Sequence, residues 1–238
     1  MRLLLGVIVI VSAAACRTHG AFIDHFVGAN GPALGAAALD DDEIFTDDEN
    51  NDNTVFFSPN LGIIDLTFAQ AGHVDIVMQV EDGAGPGVTE YDIDFEILNL
   101  SGAGWRHVRM SLGFGGEVTA TPFVASGNGD ALDFDTPHKD SLVDADNLAS
   151  FVQGEDFLEL RLNPSITHGD AVAGFLSIDV PHRSLIPAIP ATAQTATGYL
   201  MTLRLFVPEP FSSLLWLTMI TGGVSARRRG TMPRYSST

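Results

Sequence analysis

Apolar and polar residues alternate with a period of two through the middle of the chain. Val74, Ile76, Met78 and Val80 fall on one side of such a run, with Asp75, Val77 and Gln79 between them. Tyr91, Ile93, Phe95 and Ile97 alternate with Asp92, Asp94 and Glu96. The same spacing returns at Val108, Met110, Leu112 and Phe114, and at Leu158, Leu160 and Leu162. It returns again at Gly174, Leu176, Ile178 and Val180, and at Tyr199, Met201, Leu203 and Leu205. Less regular runs lie at 54–58 and 63–68. A two-residue period places successive side chains on opposite faces of a strand, and one wet face implies antiparallel pairing. About eight such runs, separated by Gly, Asp, Asn and Pro, predict an all-β chain folded as a single antiparallel β-sandwich. Helical spacing competes only at 141–152, where a short helix fits. Residues 22–53 lack a clear period and pass from mixed apolar residues through a Gly/Ala stretch to an acidic run; either a partly loop segment or a first strand near 22–27 fits them.

The two ends follow different rules. The N-terminus, MRLLLGVIVIVSAAACRTHG, has one early arginine, a short apolar run and then small residues. That order predicts a secretory signal peptide over residues 1–15, cut between Ala15 and Cys16. A cysteine just after the cut also fits an acylated lipoprotein, although Ala13 stands where a lipoprotein signal usually has leucine. Near the other end, FSSLLWLTMITGGVSA separates Pro210 from Arg227. At about 1.5 Å per residue these 16 positions reach roughly 24 Å, short for a transmembrane helix but workable with snorkelling arginines. Arg227, Arg228 and Arg229 would stay on the cytoplasmic side, leaving the rest of the chain outside. Pro208 and Pro210 hold the segment before the helix extended.

Val207-Pro208-Glu209-Pro210, an apolar helix and an arginine cluster, in that order, resemble the PEP-CTERM sorting signal of Gram-negative bacteria. The resemblance spans residues 207–229. It implies recognition of the Pro-Glu-Pro triplet by an exosortase-type membrane peptidase, after export by the secretion machinery. It further implies delivery to the cell surface or extracellular matrix, with exopolysaccharide as a candidate partner. A tail at 230–238 departs from the pattern, which usually stops soon after the basic cluster. A plain C-terminal anchor has the same location without the cleavage. The organisation is then a signal peptide (1–15), an exported domain (16–206), the sorting signal (207–229) and the tail.

Charge narrows the partners. Residues 17–207 hold 29 acidic residues against Arg17, Arg106, Arg109, Lys139, Arg161, Arg183 and Arg204, a net of −22. Such a charge repels phosphate backbones, which excludes nucleic acid as a partner. With Cys16 as the sole cysteine no intrachain disulfide forms, and a domain of this size is stable by packing alone.

Candidate chemistry is sparse. Eight acids crowd residues 40–52, and Asp48, Asn50 and Asp52 have calcium-loop spacing. Asn53 replaces the required glycine and Pro59 the closing glutamate, so this is no EF-hand. Asp130, Asp133 and Asp135, in the glycine-bearing stretch GNGDALDFD, form the metal-site candidate, with calcium the one cofactor in view. Asp144 and Asp146 are a weaker pair. No nucleophile elbow, zinc-protease motif or P-loop occurs, and the seven histidines lack ligand spacing. Trp105 is out of step with Val108; a core position, or a bulge with a partly exposed ring, fits it. Asn99-Leu100-Ser101 matches a glycosylation sequon by chance. The sequence therefore predicts an exported, non-enzymatic surface or matrix protein. The alternative is a polysaccharide-binding or polysaccharide-cleaving domain exported by the same route, marked by exposed aromatics across one sheet or by facing carboxylates in a cleft.

Overall fold

The computed structural model describes residues 20–40, 60–127, 129, 131–134, 148–154 and 156–208. The signal peptide, the run at 54–58, the Asp144/Asp146 pair and everything beyond Pro208 lie outside these residues. Eleven strands are described: β1 (Ala21–Asn30), β2 (Leu34–Asp40), β3 (Leu61–Phe68), β4 (Gly72–Asp82), β5 (Val88–Asn99) and β6 (Trp105–Gly116). They continue with β7 (Thr121–Ala125), β8 (Leu148–Gln153), β9 (Phe157–Ile166), β10 (Ala171–Pro181) and β11 (Gly198–Val207). Two 3₁₀ turns, Arg183–Leu185 and Ala191–Ala193, lie between β10 and β11. The chain is all-β, and among the described residues no helix is long and apolar enough to cross a membrane.

The strands form two sheets. The larger runs β1-β4-β11-β6-β9-β8, with β7 also pairing β6; the smaller runs β10-β5-β3-β2. The inward sets are those the alternation marked. Val74, Ile76, Met78 and Val80 meet Tyr91, Ile93, Phe95 and Ile97 in one core, with Leu158, Leu160, Leu203 and Leu205. Trp105 is buried in it, edge-on to Phe68 with ring centroids 5.4 Å apart. Its indole nitrogen donates to Ser101 Oγ at 3.0 Å. A register shift between Trp105 and His107 in the β6–β9 ladder turns the ring inward despite its parity. The core position and the bulge therefore coexist.

Several expectations change. Residues 34–40 are a strand, not a loop, and 148–153 are strand β8 where the helical pattern reached in. Both are edge strands of their sheets. An edge strand buries little, so its sequence need not alternate. Pairing is antiparallel except between β3 and β5, which run parallel. The intervening strand β4 lies in the opposite sheet, so the chain crosses over, reverses and returns in its original direction. One-face burial reads the same in either ladder.

The Asn99 sequon is a closed turn. Asn99 is fully buried, its amide donates to Ala103 O at 2.7 Å and to Ile166 O at 3.1 Å, and its Oδ1 accepts from the Ser101 amide.

Candidate functional site

The start of the sorting signal sits at the end of a central strand. Val207 is the last residue of β11, opposite Gly72 of β4, and is fully buried. Pro208 is half-buried and is the first residue beyond the strand. Ala15, Cys16, Glu209, Pro210, Arg227, Arg228 and Arg229 lie outside the described residues. A buried strand end followed directly by proline is a sharp boundary: the ladder needs an N–H that proline lacks.

Of the candidate calcium carboxylates, Asp133 alone is described; Asp130 and Asp135 are not. Asp133 is half-buried between Leu132 and Phe134, both in the core, and its carbonyl accepts from the Asp179 amide at 2.9 Å. Phe134 bridges Ile178 of β10. This short segment thus pairs with β10 through its backbone. Among the described residues no group of three His, Cys, Asp or Glu side chains converges as a metal would require.

One hollow among the described residues was not expected from sequence. It lies on the outer face of the large sheet, encloses about 460 Å³, and is lined by His73, Glu117, Thr121, Phe123 and Arg204 with the turn between β6 and β7. Strand pairing sets its floor, because Arg204 of β11 is the register partner of Asp75 of β4. The Asp75 side chain is fully buried; its carboxylate accepts from Arg204 Nε at 2.6 Å and Nη2 at 2.8 Å. Asp75 Oδ2 also accepts from the Glu117 amide at 2.8 Å. The guanidinium stacks over Phe123 at 4.1 Å from the ring centroid. His73 Nε2 lies 3.6 Å from Glu117 Oε1 at the rim. A bidentate pair held this firmly is a positioned cation with its charge matched in place. It offers the hollow polar lining and an aromatic edge. Asp75 and Arg204 stand 129 residues apart, and no local spacing could have announced the pair.

The opposite face, outside the small sheet, is acidic. Asp65 of β3 and Glu96 of β5 are register partners, and Asp94 lies two residues from Glu96. Partial burial pushes the Asp94 carboxyl above the usual carboxylate range, and the nearby charges of Asp65 and Glu96 add to the rise. A shallow hollow of about 270 Å³ beside them is lined by Ala36, Ala38, Asp65, Thr67 and Glu96. At the turn between β9 and β10, the Asp170 carboxyl is held below its ordinary value by hydrogen bonds from the Thr167 hydroxyl and amide.

No family model, curated protein or solved structure matches the chain.

Proposed function

We propose that the chain is an exported, non-enzymatic surface or matrix protein, held at the membrane by a short C-terminal helix until an exosortase-type peptidase cuts at the Pro-Glu-Pro segment. The observation that carries this reading is the position of Val207. The final central strand is complete at that residue, so scission beyond it leaves every described ladder intact. The segment to be cut starts where pairing stops, a geometry open to a protease.

The non-enzymatic part of the reading rests on how the buried carboxylates are engaged. Asp75 is committed to Arg204, and Asp82 to Arg183, whose Nε lies 2.5 Å from Asp82 Oδ2. Asp92 accepts from Ser177 Oγ at 2.6 Å. Such partners tie these carboxylates into the fold as structural groups.

Sugar stacking as the alternative is weakened by the phenylalanines of the large sheet. Arg204 covers Phe123, and Arg109 covers Phe157 at 4.5 Å from the ring centroid. Phe206, 41% exposed, is the one left open among the three.

Fractionation of the producing cell with an antibody to the domain tests the reading. The expected product lacks the signal peptide and the segment beyond Pro210, and lies outside the inner membrane. Replacing Pro208, Glu209 and Pro210 together by alanine should leave an untrimmed, membrane-held form. Full-length, uncut chain in the cytosol would overturn it.

A further inference from the structure

The outer face of the small sheet and the β6–β9–β8 end of the large sheet carry opposite charge. Strands β2, β3, β5 and β10 of the small sheet contain Asp40, Asp65, Glu90, Asp92, Asp94, Glu96 and Asp179, seven carboxylates without a Lys, Arg or His. All seven alternate with core residues, but Glu90 and Asp92 are buried and Asp179 is half-buried, so Asp40, Asp65 and Glu96, with the half-buried Asp94 beside them, make the exposed acidic face. Strands β6, β8 and β9 at one end of the large sheet show the reverse: Arg106, Arg109 and Arg161 against the single carboxylate Glu159. Arg204 of β11 is matched by Asp75, and the far strands β1 and β4 carry Asp24, Glu81 and Asp82. In a domain with seven basic residues against 29 acidic ones, three on the adjoining strands β6 and β9 is a marked concentration.

This large-sheet face is also apolar in patches. Phe206, Arg109, Glu159 and Val152 form one row across four strands, since each is the register partner of the next. Phe206 and Val152 are 41% and 38% exposed. Arg161, half exposed, pairs with Glu159 at 3.1 Å in this cluster. An exposed phenylalanine on an interior strand, with Arg109 as its register partner, is the composition of an interface core rather than of a wet sheet face.

We infer that this arginine and phenylalanine face docks onto the acidic small-sheet face of a second copy of the same chain. Charge complementarity selects the occupant, because the exposed carboxylates Asp40, Asp65 and Glu96, with Asp94 beside them, answer the arginines. Shape agrees: Ala36 and Ala38 beside Asp65 and Glu96 leave the shallow hollow of about 270 Å³, room for an arginine stem between acidic walls. Burial is the main cause of the raised Asp94 carboxyl, and the repulsion from Asp65 and Glu96 that adds to it is offset when a guanidinium arrives.

Each copy carries both faces, on opposite sides of the sandwich. The contact is therefore heterologous and builds an open stack, not a closed dimer. Four strands about 4.8 Å apart and roughly eight residues long present only about 500 Å² per face, the low end for a specific contact. Single contacts are weak and the stack grows with concentration. Net negative charge opposes it at long range, but a Debye length of about 10 Å at 0.1 M salt screens that repulsion more than the contacting pairs.

Sedimentation velocity on the full chain, in density-matched detergent, tests this with charge-reversed variants. Wild type should sediment faster as its concentration rises. Asp65→Lys with Glu96→Lys should weaken self-association by at least about tenfold, although lowering the net charge would by itself favour association. Arg106→Glu with Arg161→Glu should do the same. An equimolar mixture of the two variants, each correctly melting, should regain association, because the reversed acidic face of one then meets the reversed basic face of the other. Three results would each overturn the inference: wild type that stays single up to about 1 mM, variants that associate like wild type, or a mixture that does not recover. Association that appears only when calcium or an acidic polysaccharide is added would overturn it as well.

Discussion

Asp75 and Arg204 face one another across β4 and β11, joined by two hydrogen bonds of 2.6 and 2.8 Å with the carboxylate fully buried. A third bond ties the same carboxylate to the Glu117 amide, so one side chain pins two central strands and the start of the β6–β7 turn. Removing either member leaves the other charge without its match. Asp75→Ala should therefore lose about 3 kcal/mol, toward the low end for a broken buried pair because the arginine is partly exposed. Replacing both, as Asp75→Leu with Arg204→Met, should recover most of that loss. Denaturant midpoints for the two variants check it; equal losses would show that packing, not charge matching, dominates.

Gly116 extends that relationship to the backbone. Its φ is +126°, and a β-carbon there would run into the Asp75 carboxylate. Gly116→Ala should cost about 2 kcal/mol or more, whereas Gly102→Ala should cost only about 1 kcal/mol. Gly102 also has a positive φ, +75°, but opens onto empty space. Thermal melts of both variants separate crowding from conformational strain.

Buried amides make the Asn99 turn sensitive. Asn99→Ala removes its donors to Ala103 and Ile166 and its acceptor for Ser101, and should destabilise by about 2 to 3 kcal/mol. Ser101→Ala, which strands the Trp105 indole nitrogen, should cost about 1 to 2 kcal/mol. Urea unfolding checks both, and a loss under 0.5 kcal/mol at Asn99 would contradict the geometry.

Two carboxyls pull the acid limb in opposite directions. The Asp94 pKa is raised on folding, so the folded state takes up its proton first and stability improves as pH falls through the folded value. The Asp170 pKa is lowered, so its contribution is present at neutral pH and fades as pH falls below the ordinary carboxylate range. Asp94→Asn should raise Tm at pH 7 by about 1 to 2 °C, with the gain shrinking as pH falls toward 4, since partial exposure limits the effect. Asp170→Asn should lower Tm at pH 7 and converge with wild type in acid. Melts between pH 3 and 7 read both; parallel curves would refute them.

Calcium is the remaining candidate ligand, through Asp130, Asp133 and Asp135. An excess of calcium over chelator should raise Tm by a few degrees if these carboxylates bind it, as binding to the folded state alone requires. Unchanged melts would remove the site.

The core was legible because it obeys a local rule. Tyr91, Ile93, Phe95 and Ile97 announce their inward face by spacing alone, and the structure places all four in the core. The edge strands β2, β7 and β8 were not legible, since a strand paired on one side and wet on both faces has no period to display. Trp105 needed a register shift to reach the interior, and a shift is a property of two strands together.

The chain alone thus determined its β character, its single core and the identity of the inward residues, because pleat and burial act between neighbours two positions apart. The tertiary structure decided that β3 and β5 run parallel, that Asp75 meets Arg204, and that three arginines gather on β6 and β9 while exposed carboxylates crowd the outer face of the small sheet. Those are consequences of strand order, and strand order is set by which distant segments best share one core. No window of sequence short enough to show a period contains that choice.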